Sequence, residues 1–167
     1  MTSGASMESF TKQPEPHIRA FWVKQLESDI DLAARKTVPV LITAPPGSAT
    51  TIVQAIAARS HRDLIPIPTA DSVGSDDLII AIAEDRRTVS TGRGAILWLK
   101  DAHRLKPAQQ AAVMNLLEYG VGPPHRVPRI IASSSVDLFD LVTAGEFDAR
   151  LFYRLNAIHI VVQARSD

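Results

Sequence analysis

The chain has 167 residues with 18 basic and 18 acidic side chains, so its formal net charge is zero, which argues against nucleic-acid binding driven by overall charge. Hydrophobic residues make up 46% and charged residues 22%, as is typical of one soluble globular domain. The sequence has no cysteine, which excludes a disulfide framework, a thiolate zinc site and a cysteine nucleophile, and agrees with a reducing cytoplasm, where we expect the protein to act.

The first residues differ in character from the rest of the chain. Residues 1–16 are small and polar, and we expect a disordered arm followed by one domain over 17–167. The arm lacks the apolar core of a signal peptide, and no apolar run reaches the roughly 18 to 20 residues of a membrane span. Apolar residues from Ile18 to Ala33 recur at three- and four-residue spacing, which predicts a helix ending near Lys36.

A turn with the architecture of a phosphate-binding loop follows the first apolar run, 38–43, but it lacks the defining side chain. The pattern G-x-x-x-x-G-K-[ST] wraps backbone N–H groups around phosphates and adds a lysine charge. Here Ala44 and Ala49 replace the two glycines, and Thr50 replaces the lysine. The residues alone leave two interpretations open: an unrelated strand, turn and helix, or a nucleotide-binding fold that has lost its nucleotide contacts.

The remaining chain alternates strand and helix patterns. Short apolar runs predict strands at 38–43, 64–67, 95–99, 129–132 and 157–162. Pro66 and Pro68 place the second strand at or near a sheet edge. Apolar spacing and capping residues predict helices at 52–60, 75–86, from Pro107 onwards, at 138–144 and at 147–155, with loops at 88–94 and 121–127. Such alternation implies a parallel sheet with helices on both faces. The segments after Thr43, Leu99 and Ala132 should then meet at one edge, where ligands gather.

Two stretches carry a family resemblance. Residues 94–118 read GAILWLKDAHRLKPAQQAAVMNLLE, and residues 129–156 read RIIASSSVDLFDLVTAGEFDARLFYRLN. Both resemble, in order and spacing, the AAA+ domains of sigma-54-dependent transcription activators. The resemblance implies an α/β fold of the three-layer P-loop NTPase (AAA+) type, with a five-stranded parallel sheet flanked by helices and without the lid subdomain. It also identifies the turn after residue 43 as a phosphate loop by descent.

The resemblance assigns functional positions, and most carry altered residues. The loop lysine aligns with Thr50, the acidic pair that holds Mg²⁺ and positions water aligns with Lys100 and Asp101, and the sensor asparagine aligns with Ser135. Of two arginines that reach a neighbouring subunit's nucleotide, one aligns with Asp148 and the other with Arg154, our candidate intersubunit arginine. The vestigial nucleotide-binding set is therefore Pro46, Gly47, Ser48, Ala49, Thr50, Thr51, Lys100, Asp101 and Ser135.

These substitutions predict a domain without catalytic residues. A lysine at position 100 would repel Mg²⁺, so we expect no ATP hydrolysis, no metal and no required cofactor, and at most weak binding of ATP or ADP. The backbone N–H groups of 47–51 would still attract an anion, with Lys100 standing in for the lost charges. In the simpler interpretations, Lys100 pairs with Asp101 on the surface, Arg154 stabilises a helix end, and His103 is a loop residue. Trp22 and Trp98 are expected in the core.

The expected function is bacterial transcription regulation or signalling through protein contacts, with another AAA+ regulator or a second copy as partner. The family's sigma-contact motif G-A-F-T-G-A is missing, and the interval between Thr50 and Lys100 is shorter than in the family. The lid and the helix-turn-helix domain are not found after 162. Direct contacts with sigma-54, DNA or a membrane are therefore not expected. The alternative is an ATP- or ADP-binding switch, or a slow ATPase with non-standard ligation.

Overall fold

The computed structural model describes residues 16–68, 94–120 and 129–163. The predicted helix at 75–86, the predicted loop at 121–127 and most of the loop at 88–94 lie outside these residues. So does the arm predicted over 1–16, except for its last residue, Pro16, which begins a helix. Trp22 lies in a helix whose side chains are described only from residue 24 onwards. The prediction that Trp22 is a core residue is therefore untested.

Within the described ranges, the strands form one parallel sheet. They are β1 (Val40–Thr43), β2 (Leu64–Pro68), β3 (Ile96–Lys100), β4 (Arg129–Ser134) and β5 (Ile158–Val161). Their order across the sheet is β2-β3-β4-β1-β5, and every neighbouring pair is parallel. The predicted five-stranded parallel sheet is confirmed. The edge position of β2 is also confirmed. Its prolines have no N–H to donate, so they suit a strand that has a neighbour on only one side.

Helices cover both faces of this sheet. They are α1 (Pro16–Arg35), α2 (Ala49–Ser60), α3 (Pro107–Tyr119), α4 (Leu138–Thr143) and α5 (Ala149–Leu155), with a short 3₁₀ turn at Ala102–Arg104. Pro107 occupies the first turn of α3, as predicted, because its missing N–H needs no partner there. None of the helices in the described ranges has the length and apolar character needed to cross a membrane.

Side chains alternate between two buried layers, as the period of a strand requires. Val40 and Ile42 pack with α1 and α2, whereas Leu41 packs in the layer that includes α3, α4 and α5. All three are fully buried. Trp98 is 5% exposed on the α1 and α2 side, which confirms that it is a core aromatic.

Several predicted boundaries shift by one or two residues for identifiable reasons. β3 and β4 run further than predicted, through Lys100 and Ser134, because ladder pairing with their neighbours continues to the carboxyl edge. The last helix begins at Ala149 rather than Phe147, because the carboxylate of Asp148 caps it by accepting the N–H groups of Arg150 and Leu151. Asp148 therefore has a local structural role at a position where the family has an arginine.

Candidate functional site

The strand order brings three predicted segments to one edge of the sheet. Thr43 lies opposite Ser134, and Leu99 lies opposite Ala132. The Ala44 N–H donates to the Ser134 carbonyl at 3.0 Å, which ties the first residue of the loop to the end of β4. The predicted meeting of the segments after β1, β3 and β4 is confirmed.

The loop between β1 and α2 keeps the backbone of an anion-binding turn. Gly47 has a φ of +82°, a conformation that favours glycine. The Ser48 N–H donates to the Pro45 carbonyl at 3.0 Å, and α2 begins at the next residue. The first N–H groups of a helix lack internal partners and carry partial positive charge, so this turn is suited to an anion.

The side chains of the loop contribute packing and hydroxyls in place of charge. Ala49 is half-buried and packs against the core layer beneath α1 and α2. Thr50 and Thr51 lie in the first turn of α2, the half-buried Thr50 at the position where the family has its lysine. Pro46, Gly47 and Ser48 are exposed. The loop's own side chains therefore bring no cation to the turn.

The positive charge at this edge comes from β3. Lys100 is two residues beyond Trp98 and lies on the same face of the sheet, the face that α2 covers. Its Nζ is 5.6 Å from the centroid of the Trp98 ring, within the range of a cation–π contact. The indole N–H of Trp98 in turn donates to the Ser133 hydroxyl at 2.8 Å. This chain of contacts holds an ammonium group on the loop's side of the sheet.

The chain turns sharply after Lys100. Asp101 has a φ of 56° and a ψ of 51°, the left-handed region that aspartate adopts more readily than most residues. The 3₁₀ turn that follows places His103 against the opposite face of the sheet from Lys100. The two residues that align with the family's acidic pair are therefore split by a change of backbone direction.

His103 contacts the end of β4, which the sequence analysis did not foresee. The Ser134 hydroxyl donates to the Val136 carbonyl at 2.5 Å, so its contact with His103 Nδ1 at 3.1 Å requires the imidazole to donate. Burial lowers the pKa of His103, and Arg104 adds to that shift while Asp101 opposes it. His103 is thus a neutral residue of the turn bonded to a buried serine, close to the loop role expected for it.

A second histidine contact lies at the same end of the sheet. Thr43 Oγ1 is 2.9 Å from His159 Nε2, which joins β1 to β5. Burial lowers the pKa of His159, against an opposing effect of Asp137. His103 and Ser134 are separated by 31 residues, and Thr43 and His159 by 116. No local pattern in the sequence relates partners so far apart.

Of the two remaining predicted site residues, Ser135 lies at the carboxyl edge of the sheet and Arg154 does not. Ser135 is exposed in the turn directly after β4, at the same edge as the loop. Arg154 is not at this edge, because it lies near the end of α5, just before β5 starts at the opposite end of the sheet. Its Nη2 is 3.6 Å from the Glu118 carboxylate of α3. This contact lies within a single chain, and it agrees with the simpler interpretation that Arg154 stabilises a helix end. In the described parts of the chain, no cluster of histidine and carboxylate side chains has the arrangement of a metal site.

Comparison with known proteins identifies a family. A sequence model described as "Sigma-54 interaction domain" matches residues 19–164. The chain is 25% identical, over 95% of its length, to the anaerobic nitric oxide reductase transcription regulator NorR of Aliivibrio fischeri. It is 28% identical, over 78% of its length, to the glycerol metabolism operon regulatory protein of Citrobacter freundii. The chain spans only 36% and 23% of these two proteins.

Solved structures agree on the fold. NtrX from Brucella abortus in complex with ADP superposes with a TM-score of 0.68 at 21% identity, covering 86% of this chain and 36% of that one. The P-loop NTPase domain of an Escherichia coli sigma-54 activator superposes with a TM-score of 0.61 at 17% identity, covering 87% of this chain and 97% of that one. At these identities the likeness establishes the fold alone.

Proposed function

Because the chain belongs to the sigma-54 interaction domain family, we propose that this AAA+ domain acts in bacterial transcription regulation through protein contacts and without hydrolysing ATP. Such a role implies action in the bacterial cytoplasm. The observation that carries the proposal is the placement of Lys100. Its ammonium lies at the carboxyl end of β3, on the side of the sheet that bears the loop and α2.

Phosphoryl transfer depends on neutralising charge around the phosphates, which a lysine, a metal ion and an arginine supply. Mg²⁺ prefers oxygen ligands, of which carboxylates are the commonest side-chain type, and an ammonium group can only donate hydrogen bonds. Lys100 therefore repels the metal at the position where the family anchors it. Thr50 stands in place of the loop lysine. The site therefore lacks both the lysine charge and the usual anchor for the metal ion.

The test is phosphate release from ATP with Mg²⁺. We expect the wild-type chain to release no more phosphate than a protein-free blank. Hydrolysis that exceeds the blank and falls in Lys100→Ala, but not in the exposed control Arg150→Ala, would contradict the proposal. The variant Thr50→Lys/Lys100→Asp/Asp101→Glu restores the three family side chains and serves as the reference for what the scaffold can support.

An exposed aromatic surface supports the protein-contact part of the proposal. Phe139 on α4 is 49% exposed and Tyr153 on α5 is 66% exposed. Both rings contact Phe152, with centroids 5.9 and 5.3 Å away. Aromatic side chains held in place by packing are enriched at the centres of protein interfaces. The partner we propose is a second copy or another AAA+ regulator.

Light scattering after size exclusion can test this surface, on the chain alone and mixed with an ATP-hydrolysing member of the family. We expect a complex that weakens when Phe139 and Tyr153 are replaced by serine. Leu32→Ser is the matched control, because Leu32 is 46% exposed on α1 in the opposite layer. A monomer in both samples, or equal weakening in the control, would argue against this surface.

A second candidate is a nucleotide-binding switch, which the loop geometry favours. The turn at Gly47 leads directly into α2, and the first N–H groups of that helix are backbone donors that do not depend on the lysine. The similar NtrX structures contain ADP and ATP. If Lys100 replaces both the lysine and the metal, ADP should bind equally well with and without Mg²⁺, and more weakly in Lys100→Met. Isothermal titration without heat at millimolar ADP would remove this candidate.

A further inference from the structure

In the described part of the chain, a buried guanidinium at the other end of the sheet has an acceptor for only one of its three nitrogens. Arg129 is the first residue of β4 and is only 4% exposed. Its Nη2 donates to the carbonyl of Ala33 in the last turn of α1. Its Nε and Nη1 are buried, and neither has a hydrogen-bond partner among the described residues. Most buried polar groups in proteins are partnered, so two unpartnered nitrogens on one charged side chain are exceptional.

A second cation, Arg62, acts on Arg129. Burial, and secondarily the charge of Arg62 just after α2, lower the pKa of Arg129 to about 10. The side chain thus stays protonated at neutral pH. Among the described residues, no carboxylate contributes to this shift. The nearby Arg59 differs, because Glu27 and Asp31 bind it at 2.5 and 2.8 Å.

Capping of α1 explains only part of this arrangement. A cation at a helix C-terminus is favourable, and the Ala33 carbonyl is an end group without an internal helical partner. One donor on Nη2 meets that need. The Nε and Nη1 donors remain desolvated, which is costly for a charged group unless an acceptor arrives.

We propose that Arg129, together with Arg62, forms a binding site for a small tetrahedral oxyanion of the phosphate or sulfate class at the amino end of the sheet. Guanidinium groups form short, charge-assisted hydrogen bonds with such ions. Because Arg129 opens its strand, the site lies at the end of the sheet, next to the exposed residues 36–38. It is separate from the loop after β1, which lies at the opposite, carboxyl end.

The direct test follows the arginine Nε–Hε resonances of the whole ¹⁵N-labelled chain while inorganic phosphate replaces chloride at constant ionic strength. The Arg129 signal is identified by its loss in Arg129→Lys. We expect it to shift and saturate at millimolar phosphate. In Arg62→Gln the midpoint should rise about tenfold, as expected for the loss of one hydrogen bond to a charged group. The control Arg150→Gln removes an exposed arginine and should leave the midpoint unchanged.

Thermal unfolding gives a second readout that does not depend on resonance assignment. Phosphate should raise the wild-type midpoint more than chloride does, because a ligand that binds only the folded state stabilises it. This excess should be smaller in Arg129→Met, which we expect to fold because an apolar side chain replaces an unpaired buried charge. Phosphate bound at the loop after β1 would stabilise both proteins equally, so it cannot mimic the difference. An unshifted or unsaturated Arg129 signal, or an equal gain in Arg129→Met, overturns the proposal.

Discussion

Single side chains at the carboxyl edge set its charge. Lys100 brings a positive charge to the position where the family holds a metal, and the ring of Trp98 lies beneath its ammonium. Trp98 is itself held by the hydroxyl of Ser133. The family resemblance points to Lys100 but not to Ser133, because a serine within a buried strand has no functional signature of its own.

Ser133→Ala should lower the free energy of unfolding by about 1–3 kcal/mol, because the buried indole N–H of Trp98 loses its acceptor. Urea unfolding followed by tryptophan fluorescence measures the change. The control is Ser135→Ala, an exposed serine in the same segment, which should change stability by less than about 0.5 kcal/mol. Equal effects of the two substitutions would show that the Trp98 contact does not stabilise the fold.

Two histidines with lowered pKa values, His103 and His159, predict a loss of stability in mild acid. Burial lowers the pKa values of His103 and His159 from the ordinary 6.5. The unfolded chain then takes up protons at a higher pH than the folded chain. Their contribution is therefore fully present above about pH 6.5 and is lost as the pH falls through the lower folded values. Urea unfolding across this range should show a shallower decline in His103→Gln/His159→Gln, and an unchanged slope would contradict the assignment.

At the scale of elements, the helix ends depend on side chains that bridge neighbouring segments. Asp137 and Asp148 cap α4 and α5 by accepting backbone N–H groups. Burial of Asp148 opposes ionisation, but the donors of Arg150 and Leu151 outweigh it and lower its pKa. Gln110 of α3 is buried and forms hydrogen bonds with the segment before α3 and with the segment between α4 and α5. The cap formed by Asp148 explains why α5 begins after it and not at the apolar Phe147.

Gln110→Leu should lower the free energy of unfolding by about 1–3 kcal/mol through unpaired backbone groups. Its Nε2 donates to the carbonyls of Leu105 and Glu146 at 2.9 and 3.2 Å, and its Oε1 accepts the Asp148 N–H at 2.8 Å. The same substitution at Gln54, an exposed position of α2, is the matched control. Chemical denaturation measures the free energy of unfolding of both variants. Equal values would show that the hydrogen bonds of Gln110 do not stabilise the fold.

At the scale of the whole molecule, the sheet separates two chemically distinct ends. The carboxyl end joins the loop, Lys100 and the turn after β4, whereas the amino end holds Arg129 and Arg62. Each end is assembled from segments far apart in the chain. The strand order therefore determines which side chains meet at either end.

Restoring one charge should not restore a catalytic site built from three strands. Thr50→Lys returns the loop lysine but leaves Lys100 where the metal is held in the family, so we expect phosphate release to stay at the blank. The added ammonium should nevertheless tighten ADP binding in the absence of Mg²⁺ by about tenfold, as a charge-assisted contact implies. Calorimetry and phosphate release on the same sample test both parts. Release above the blank would mean that Lys100 is not the obstacle.

The sequence by itself determined the types and order of the described strands and helices, the edge position of β2 and the family of the chain. Strand and helix periods, the prolines of β2 and the two family stretches are local signals that need no partner. The tertiary structure alone decided the pairing of His103 with Ser134, of Trp98 with Ser133, and of Arg129 with the end of α1. These contacts join residues brought together by strand order and crossovers, and local periodicity carries no record of which distant segment becomes a neighbour.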